Sequence, residues 1–339
     1  MQAFLNQYER YRAANLDLRI VKHVQIENLL SALPSLFAVS PIGESVENRT
    51  IYGVRVGSGK TRVLLWSQMH GDESTATRAL FDIFNFFAAS DEHNELRKQI
   101  FDNLELLFIP MLNPDGAERN QRENAYNIDI NRDARKFTTP EGQILRDQTK
   151  NFAPHFSFNL HDQESYYSAG VAPYPAAISF LAPPPDMQES ITENRRNAMQ
   201  LIVLLNKQLQ TIIPNCVGKW QDTYEPRAFG EWSQAQQSAT ILVESGGYYN
   251  DTERNFVRKL NFVLLLESLR SIAFGDYTNE PIEPYFMIPY NRENGMFDKL
   301  QRQETIANKG VSYVTDIGHR KDEVVFGDLE SYGSLEGEK

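Results

Sequence analysis

Residues 63–73 contain the feature that most restricts the fold, an apolar run that changes abruptly into a helical pattern. Residues 63–66 are apolar and typical of a buried strand, whereas the apolar positions between 74 and 88 recur with the period of a helix. His70, Gly71 and the carboxylate of Glu73 lie at the junction. Open α/β sheets bind ligands where a strand ends and a helix begins. The stretch therefore predicts an α/β fold with a site at His70 and Glu73.

Strands and helices continue to alternate along the chain. The N-terminal residues 1–35 are predicted to form one or two amphipathic helices, and three strands are expected between 36 and 69. Later strands are predicted at 104–111, 156–161 and 240–244, and helices at 74–88, 139–151, 190–213 and 253–274. We expect 113–116 to form a turn. This order predicts a doubly wound, mostly parallel mixed sheet flanked by helices.

The pattern changes after residue 275, where prolines interrupt short alternating segments. We therefore expect one main domain over residues 1–275, with 1–35 as its helical lead-in. Residues 276–339 are expected to form a small β-rich C-terminal extension. The sequence does not indicate an oligomeric state.

Composition and charge exclude several classes of protein. The net charge of −11 argues against a nucleic-acid partner or an anionic membrane surface. The single cysteine excludes an internal disulfide and a multi-cysteine metal site. No stretch approaches the roughly 20 apolar residues of a membrane span, and the N-terminus lacks the apolar core of a signal peptide. We therefore expect a cytoplasmic location, unless a leader has been removed.

Reactive side chains lie where four predicted apolar strands end. They are His70 with Glu73, the polar segment that begins at Asn113, His161 and Glu244. The carboxyl ends of parallel strands meet at one edge of a sheet, so these groups are expected to converge. Two histidines and one carboxylate with an open fourth position are typical of a catalytic zinc site. His155 is a rival third ligand, but it precedes its strand instead of ending it.

Six motifs occur in the same order as in the carboxypeptidase A-like family of zinc metallocarboxypeptidases, which this chain resembles. They are His70-x-x-Glu73, Asn113-Pro114-Asp115-Gly116, Arg122-x-Asn124, Asp129-Ile130-Asn131-Arg132, Asn159-Leu160-His161 and Glu244. Together they cover roughly residues 40–275. The resemblance implies a zinc peptidase with one Zn²⁺ per chain.

The resemblance also implies a role for each matching residue. His70, Glu73 and His161 would bind the zinc, and Glu244 would be the general base that returns its proton to the leaving amine. Arg122 would stabilise the oxyanion. Asn131 and Arg132 would hold the C-terminal carboxylate of the substrate, for which the guanidinium group is suited. Tyr224 and Arg227 are further candidates for contacting the substrate.

Two positions depart from the family pattern on the substrate side. Asp72 stands where carboxypeptidase A has an arginine that reaches the peptide, and Asp133 stands where many members have asparagine. Both changes remove positive or neutral character from the substrate side of the site. Side-chain preference is expected to depend on residues 224–243. Glu231 in this stretch would favour a basic terminal residue if it faced inward, although we expect it to be exposed.

The sequence predicts an exopeptidase that removes a C-terminal residue from peptides. The alternatives with the same site are an N-acyl amino acid deacylase, of the succinylglutamate desuccinylase and aspartoacylase type, and an enzyme that cuts cell-wall peptides. The complete 113–116 motif and the length of the chain favour the carboxypeptidase. A binding module without catalysis would require loss of a zinc ligand or of the base, and all four residues are present.

Overall fold

The computed structural model describes residues 1–293, 299–307, 311–320 and 323–324. Its strands are β1 Ala38–Glu44, β2 Thr50–Val56, β3 Thr61–Ser67, β4 Leu104–Ile109, β5 Phe156–Asp162, β6 Ser168–Ala169, β7 Ile178–Leu181, β8 Val217–Lys219, β9 Ala239–Ser245, β10 Asn291–Arg292, β11 Lys299–Ala307, β12 Val311–Arg320 and β13 Glu323–Val324. Its α-helices are α1 Gln2–Gln7, α2 His23–Ser31, α3 Thr75–Ala88, α4 Asn94–Asn103, α5 Pro114–Arg119, α6 Pro140–Phe152, α7 Glu193–Leu209, α8 Phe229–Ala235, α9 Asn255–Phe274 and α10 Glu283–Met287.

A central sheet contains eight of the described strands in the order β1-β2-β4-β3-β5-β9-β7-β8. The four middle strands β4, β3, β5 and β9 run parallel. Antiparallel pairs connect them to β2 and β1 on one side and to β7 on the other. The predicted mixed, mostly parallel α/β sheet is therefore confirmed.

Strand β3 shows why the sheet carries helices on both faces. Val63 and Leu65 pack into the core that includes helices α3 and α9, whereas Leu64 and Trp66 pack into a second core with residues of α6 and α8. Successive side chains of a strand point to opposite faces. A run that is apolar at every position is therefore buried on both sides, as in other parallel sheets.

The carboxyl ends of the middle strands meet at one edge of the sheet. His161 at the end of β5 is the register partner of Glu244 at the end of β9. The neighbouring strand β3 ends at Ser67, three residues before His70. The topology thus brings together His70 and Glu244, which are 174 residues apart in sequence.

Several local predictions differ from the structure. The expected turn at 113–116 is the start of α5, because the Asn113 side chain accepts a hydrogen bond from the Gly116 N–H at 2.9 Å and caps the helix. Strands β7 and β8 and helix α8 were not predicted, since they lie in proline-rich or aromatic stretches without a clear period. The long apolar helix predicted at 253–274 is confirmed as α9.

The segment after residue 275 begins inside the main core. Ile282, Tyr285 and Ile288 belong to the same hydrophobic cluster as the central sheet and its helices. Farther along, β11, β12 and β13 form a three-stranded sheet. The rest of the predicted extension (294–298, 308–310, 321–322 and 325–339) lies outside the described residues. In the described part of the chain, every helix is too short or too polar to span a membrane.

Candidate metal centre and substrate cleft

Three side chains converge at the carboxyl edge of the sheet. Glu73 contacts the Nδ1 atoms of His70 and His161 with its two carboxylate oxygens, at 2.7 Å each. The two Nδ1 atoms lie 3.2 Å apart. All three side chains are buried, and their candidate ligand atoms lie within 4.8 Å of one another. The structure therefore brings together the three predicted zinc ligands.

Local contacts hold the first two ligands in place. The turn that carries them closes with a hydrogen bond from the Glu73 N–H to the His70 carbonyl at 3.2 Å. A side chain at Gly71 would lie 2.0 Å from the backbone of Gly116, so only glycine allows α5 to approach this closely. Asn113 joins the two segments by donating to the Met69 carbonyl at 3.2 Å.

Burial and neighbouring charges shift the pKa of each of the three groups. Burial lowers the pKa of His161, which favours the neutral imidazole that binds metals. Although burial alone would lower the pKa of His70, the adjacent Glu73 and Asp129 raise it to about 9. The same histidines hold the pKa of Glu73 well below its usual range despite its burial. A bound metal would displace the proton that His70 holds at neutral pH.

Asp129 lies behind the cluster and connects three of the predicted site residues. Its Oδ1 atom is 3.0 Å from His70 Nε2 and accepts the Asn131 N–H at 2.8 Å. Its Oδ2 atom accepts two hydrogen bonds from Arg122, at 3.1 and 3.2 Å. A carboxylate on the outer nitrogen of a ligating histidine fixes the tautomer and orientation of the ring. Asp129 belongs to one of the six sequence motifs, but its position behind His70 is visible only in the folded protein.

Arg122 also reaches the cluster directly, since its Nη1 atom donates to Glu73 Oε1 at 3.1 Å. Burial lowers the pKa of Arg122, but Glu73 and Asp129 outweigh that effect and raise it. The guanidinium is therefore a permanent positive charge beside the candidate ligands. Such a fixed charge can stabilise a developing oxyanion.

Glu244 lies on β9 beside His161 of β5 and lines the same cavity. Burial, and then the charge of Glu73, raise its pKa well above the usual value for a glutamate. A carboxylate with a raised pKa is a stronger base, which is the property that a proton acceptor needs.

Asn131 and Arg132 also line the cavity. The Asn131 Oδ1 atom accepts the Phe229 N–H at 3.0 Å and so fixes the start of α8 relative to the cleft. Arg132 donates to the carbonyl of Asn131 at 2.8 Å and lies 3.8 Å from Glu225. The pair thus offers an amide and a guanidinium at one place in the cavity wall.

Other predicted residues lie outside the cavity wall. Tyr224 is half-buried, and Arg227 is exposed and paired with Glu225 at 2.7 Å; neither is among the cavity-lining residues. His155, the rival ligand, accepts the Arg62 N–H at 3.0 Å at the opposite end of β5. It is remote from the cluster, as its position before the strand predicts.

The two departures from the family pattern have different surroundings. Asp133 is buried and accepts four hydrogen bonds of 2.7–2.9 Å from the N–H and hydroxyl groups of Thr138 and Thr139. It therefore organises the loop before α6 and does not face the substrate side, contrary to the expectation from the sequence. Asp72 does line the cavity.

The cavity is a cleft of about 950 Å³ that contains more residues than the sequence indicated. Glu231, expected to be exposed, is only 7% exposed and lines the cleft. Asn159, Tyr167 and Trp220 line it as well, and so does the N-terminal segment 18–20. No local sequence pattern could have located these contributions, because they depend on how distant segments pack.

The family model described as "Zinc carboxypeptidase" matches residues 23–240. The matched segment contains the three candidate ligands and ends four residues before Glu244. This chain belongs to the zinc carboxypeptidase family.

Curated relatives match over shorter segments. "Probable carboxypeptidase 2" of Trichophyton verrucosum is 27% identical over 124 residues, which are 37% of this chain and 22% of that protein. "Carboxypeptidase SOL1" of Arabidopsis thaliana is 37% identical over 65 residues, which are 19% of this chain and 13% of that protein. The chain thus spans about a fifth or less of the length of these relatives.

Solved structures show the same fold at low identity. Carboxypeptidase A from Helicoverpa armigera aligns with a TM-score of 0.58 and 15% identity, covering 81% of each chain. A metallo-carboxypeptidase from Burkholderia cenocepacia aligns with a TM-score of 0.58 and 17% identity, covering 76% of this chain and 68% of the other.

The donor set fits the metal that the family requires. Two imidazole nitrogens and a carboxylate are the ligands of catalytic zinc sites that keep one position open. The three donors converge from the β3–α3 turn and the end of β5. His70, Glu73 and His161 are therefore the residues that could hold Zn²⁺ in this chain.

Proposed function

We propose that this member of the zinc carboxypeptidase family is a metallocarboxypeptidase that hydrolyses the last peptide bond of its substrate. One observation carries the proposal: a single cleft contains the three ligand candidates, Glu244 and the cationic pair Arg122 and Arg132. A peptide terminus supplies both a bond to cleave and a carboxylate for the cations to bind. The cleft is large enough to accept an extended peptide end.

Zinc held by His70, Glu73 and His161 would polarise the scissile carbonyl and acidify water. Glu244 would take the proton from the attacking water and return it to the departing amine. Its position beside His161 and its raised pKa support both transfers.

The remaining residues would bind charge. Arg122 would stabilise the oxyanion that develops on the scissile carbonyl, and its pairing with Asp129 keeps it close to the ligand cluster. Asn131 and Arg132 would hold the terminal carboxylate of the substrate. Tyr224 and Arg227 remain predictions as substrate contacts, since neither residue lines the cleft.

The test compares the zinc-loaded protein with its Glu244→Gln variant on N-blocked dipeptides that have a free or an amidated C-terminus. We expect release of the terminal amino acid from the free peptides only. The variant should retain one equivalent of zinc and lose roughly 10²–10⁴-fold in rate, the usual contribution of a general base. Equal cleavage by both proteins would contradict the role of Glu244.

The same panel includes N-acyl amino acids and cell-wall peptides, since these also present a free carboxylate. Cleavage confined to N-acyl amino acids would replace the proposal with the deacylase alternative. Cleavage confined to cell-wall peptides would assign the third substrate class. Zinc binding without hydrolysis of any substrate would indicate a binding module.

A further inference from the structure

The floor of the cleft contains a buried amide without a partner. Asn159 is fully buried, it lines the cleft, and neither Nδ2 nor Oδ1 has a hydrogen-bond partner among the described residues. A buried amide without partners is unfavourable by about 1–3 kcal/mol for each group. Such a group is therefore expected to meet a ligand.

The strand register fixes the location of Asn159 relative to the reaction site. Asn159 and Leu242 are register partners on β5 and β9, and each lies two residues before His161 and Glu244, respectively. Residues two apart share a face of the sheet, so this pair lies roughly 7 Å deeper on the same face. Leu242 also lines the cleft. The two residues form a floor beneath the reacting groups.

Helix α8 provides the wall beside this floor. Its first turn is fixed to the cleft by the hydrogen bond from the Phe229 N–H to Asn131. Ala228 and Glu231 of this segment line the cleft. Gly230 lies against the floor, since a side chain added there would be 3.6 Å from Asn159 Nδ2. Glu231 directly follows Gly230, so the segment that carries its carboxyl group packs beside Asn159, and both residues line the cleft.

Glu231 forms no ion pair with a side chain of the described residues. Burial raises the pKa of its carboxyl to about 7, and nearby backbone N–H groups and Arg132 lower it in part. A cation in the pocket would favour the ionised form. Asn131 and Arg132 lie next to this wall, so a substrate whose carboxylate they hold would direct its terminal side chain toward Glu231 and Asn159.

We propose that Glu231 and Asn159 form the specificity pocket, and that it selects a C-terminal residue with a long cationic side chain. The inference rests on the proposed carboxypeptidase function. An arginine or lysine side chain is long enough to reach the floor and donates to both acceptors, the Glu231 carboxylate and Asn159 Oδ1. A short or apolar side chain would leave the Asn159 amide without a partner and the Glu231 carboxylate without a cation, and an acidic side chain would be repelled by Glu231.

The test uses pairs of N-blocked dipeptides that end in arginine or in citrulline. Citrulline has nearly the same shape as arginine but no charge, so the ratio of the two kcat/KM values isolates the contribution of the cation. We expect the wild-type protein to prefer arginine by about 10- to 100-fold, as is usual for a charge-assisted hydrogen bond. In Glu231→Gln this ratio should fall to within about threefold of unity.

Glu253→Gln is the matched control. It removes the same charge from the same cleft, but Glu253 lies beside the N-terminal segment, where it accepts the Arg19 N–H at 2.8 Å. This variant should keep the wild-type ratio. A ratio near unity in the wild-type protein, or equal losses in the two variants, would overturn the pocket assignment.

A binding measurement separates this inference from the proposed function. Calorimetry would compare free L-arginine with L-citrulline on the zinc-loaded protein and on Glu231→Gln. Glu231-dependent preference for L-arginine supports the pocket even if none of the peptides is hydrolysed, a result that would refute only the carboxypeptidase activity. Hydrolysis of peptides with apolar or acidic ends, without preference for L-arginine, refutes the pocket and leaves the activity in place.

Discussion

Replacing Asp129 with asparagine tests the carboxylate that lies behind the ligand candidate His70. Asparagine has the same shape as aspartate and keeps one side-chain oxygen. That oxygen can still accept a hydrogen bond from His70 Nε2, which lies 3.0 Å from Asp129 Oδ1 in the wild-type protein. The substitution removes the negative charge that faces both the imidazole and the Arg122 guanidinium. We expect weaker zinc binding with little change in the shape of the site.

The expected loss of zinc affinity in Asp129→Asn follows from the hydrogen bonds that Asp129 makes. A hydrogen bond to a charged acceptor contributes about 1.5–3 kcal/mol and a neutral one about 0.5–1.5 kcal/mol. The His70 contact should therefore lose about 1–2 kcal/mol, which corresponds to roughly 5- to 30-fold in the dissociation constant for zinc. This range overlaps the 10- to 100-fold loss of metal affinity that is usual when the hydrogen-bond partner of a metal ligand is replaced. Arg122 would also lose an ion pair, so kcat should fall as well.

The assay is a chelator competition that gives the zinc dissociation constant, followed by kcat and KM for the saturated protein. Asp133→Asn is the control, because it makes the same chemical change in a buried aspartate that binds Thr138 and Thr139 instead. It should lower the melting temperature and leave zinc affinity unchanged. Zinc affinity within twofold of the wild type in Asp129→Asn would refute the reasoning. An equal loss in the control would refute it too.

Three further predictions concern other parts of the molecule. Arg258→Met should lower the free energy of unfolding by about 3–5 kcal/mol in urea titrations, because it leaves the fully buried Asp82, 2.5 Å away, without its cationic partner; a loss below about 1 kcal/mol would contradict this. The pKa of Glu231 is about 7 in the folded protein against a usual value of 4.5, so the folded state binds the carboxyl proton more tightly than the unfolded state does. This contribution to stability is fully present below pH 4.5 and is lost as the pH rises through 7. The unfolding free energy of Glu231→Gln should therefore rise relative to the wild type, by roughly 3 kcal/mol between pH 4.5 and pH 8; a difference independent of pH would refute it. Arg132→Gln should raise KM for peptides with a free terminus by about 10- to 100-fold and leave little discrimination against amidated peptides; unchanged discrimination in steady-state kinetics would exclude its role in binding the carboxylate.

The sequence alone was sufficient for the fold class and for the ligand cluster. Four apolar runs end in a histidine, a glutamate or a polar segment, and the alternation with helices requires parallel strands whose ends meet. Local periodicity and this one topological rule are enough to predict that His70, Glu73 and His161 lie together with Glu244 beside them, as they do in the structure.

Only the tertiary structure decided which other residues face the cleft. Glu231 lies in a stretch without a clear period, and its burial results from the docking of α8 against β5 and β9. Asp133 was expected on the substrate side from the family pattern, yet the fold of its own loop turns it toward Thr138 and Thr139. Loop conformation and the packing of distant segments leave no periodic signal in a single sequence, whereas strands and helices do. The sequence therefore determined where the chemistry of this protein lies, and tertiary packing determined which side chains surround it.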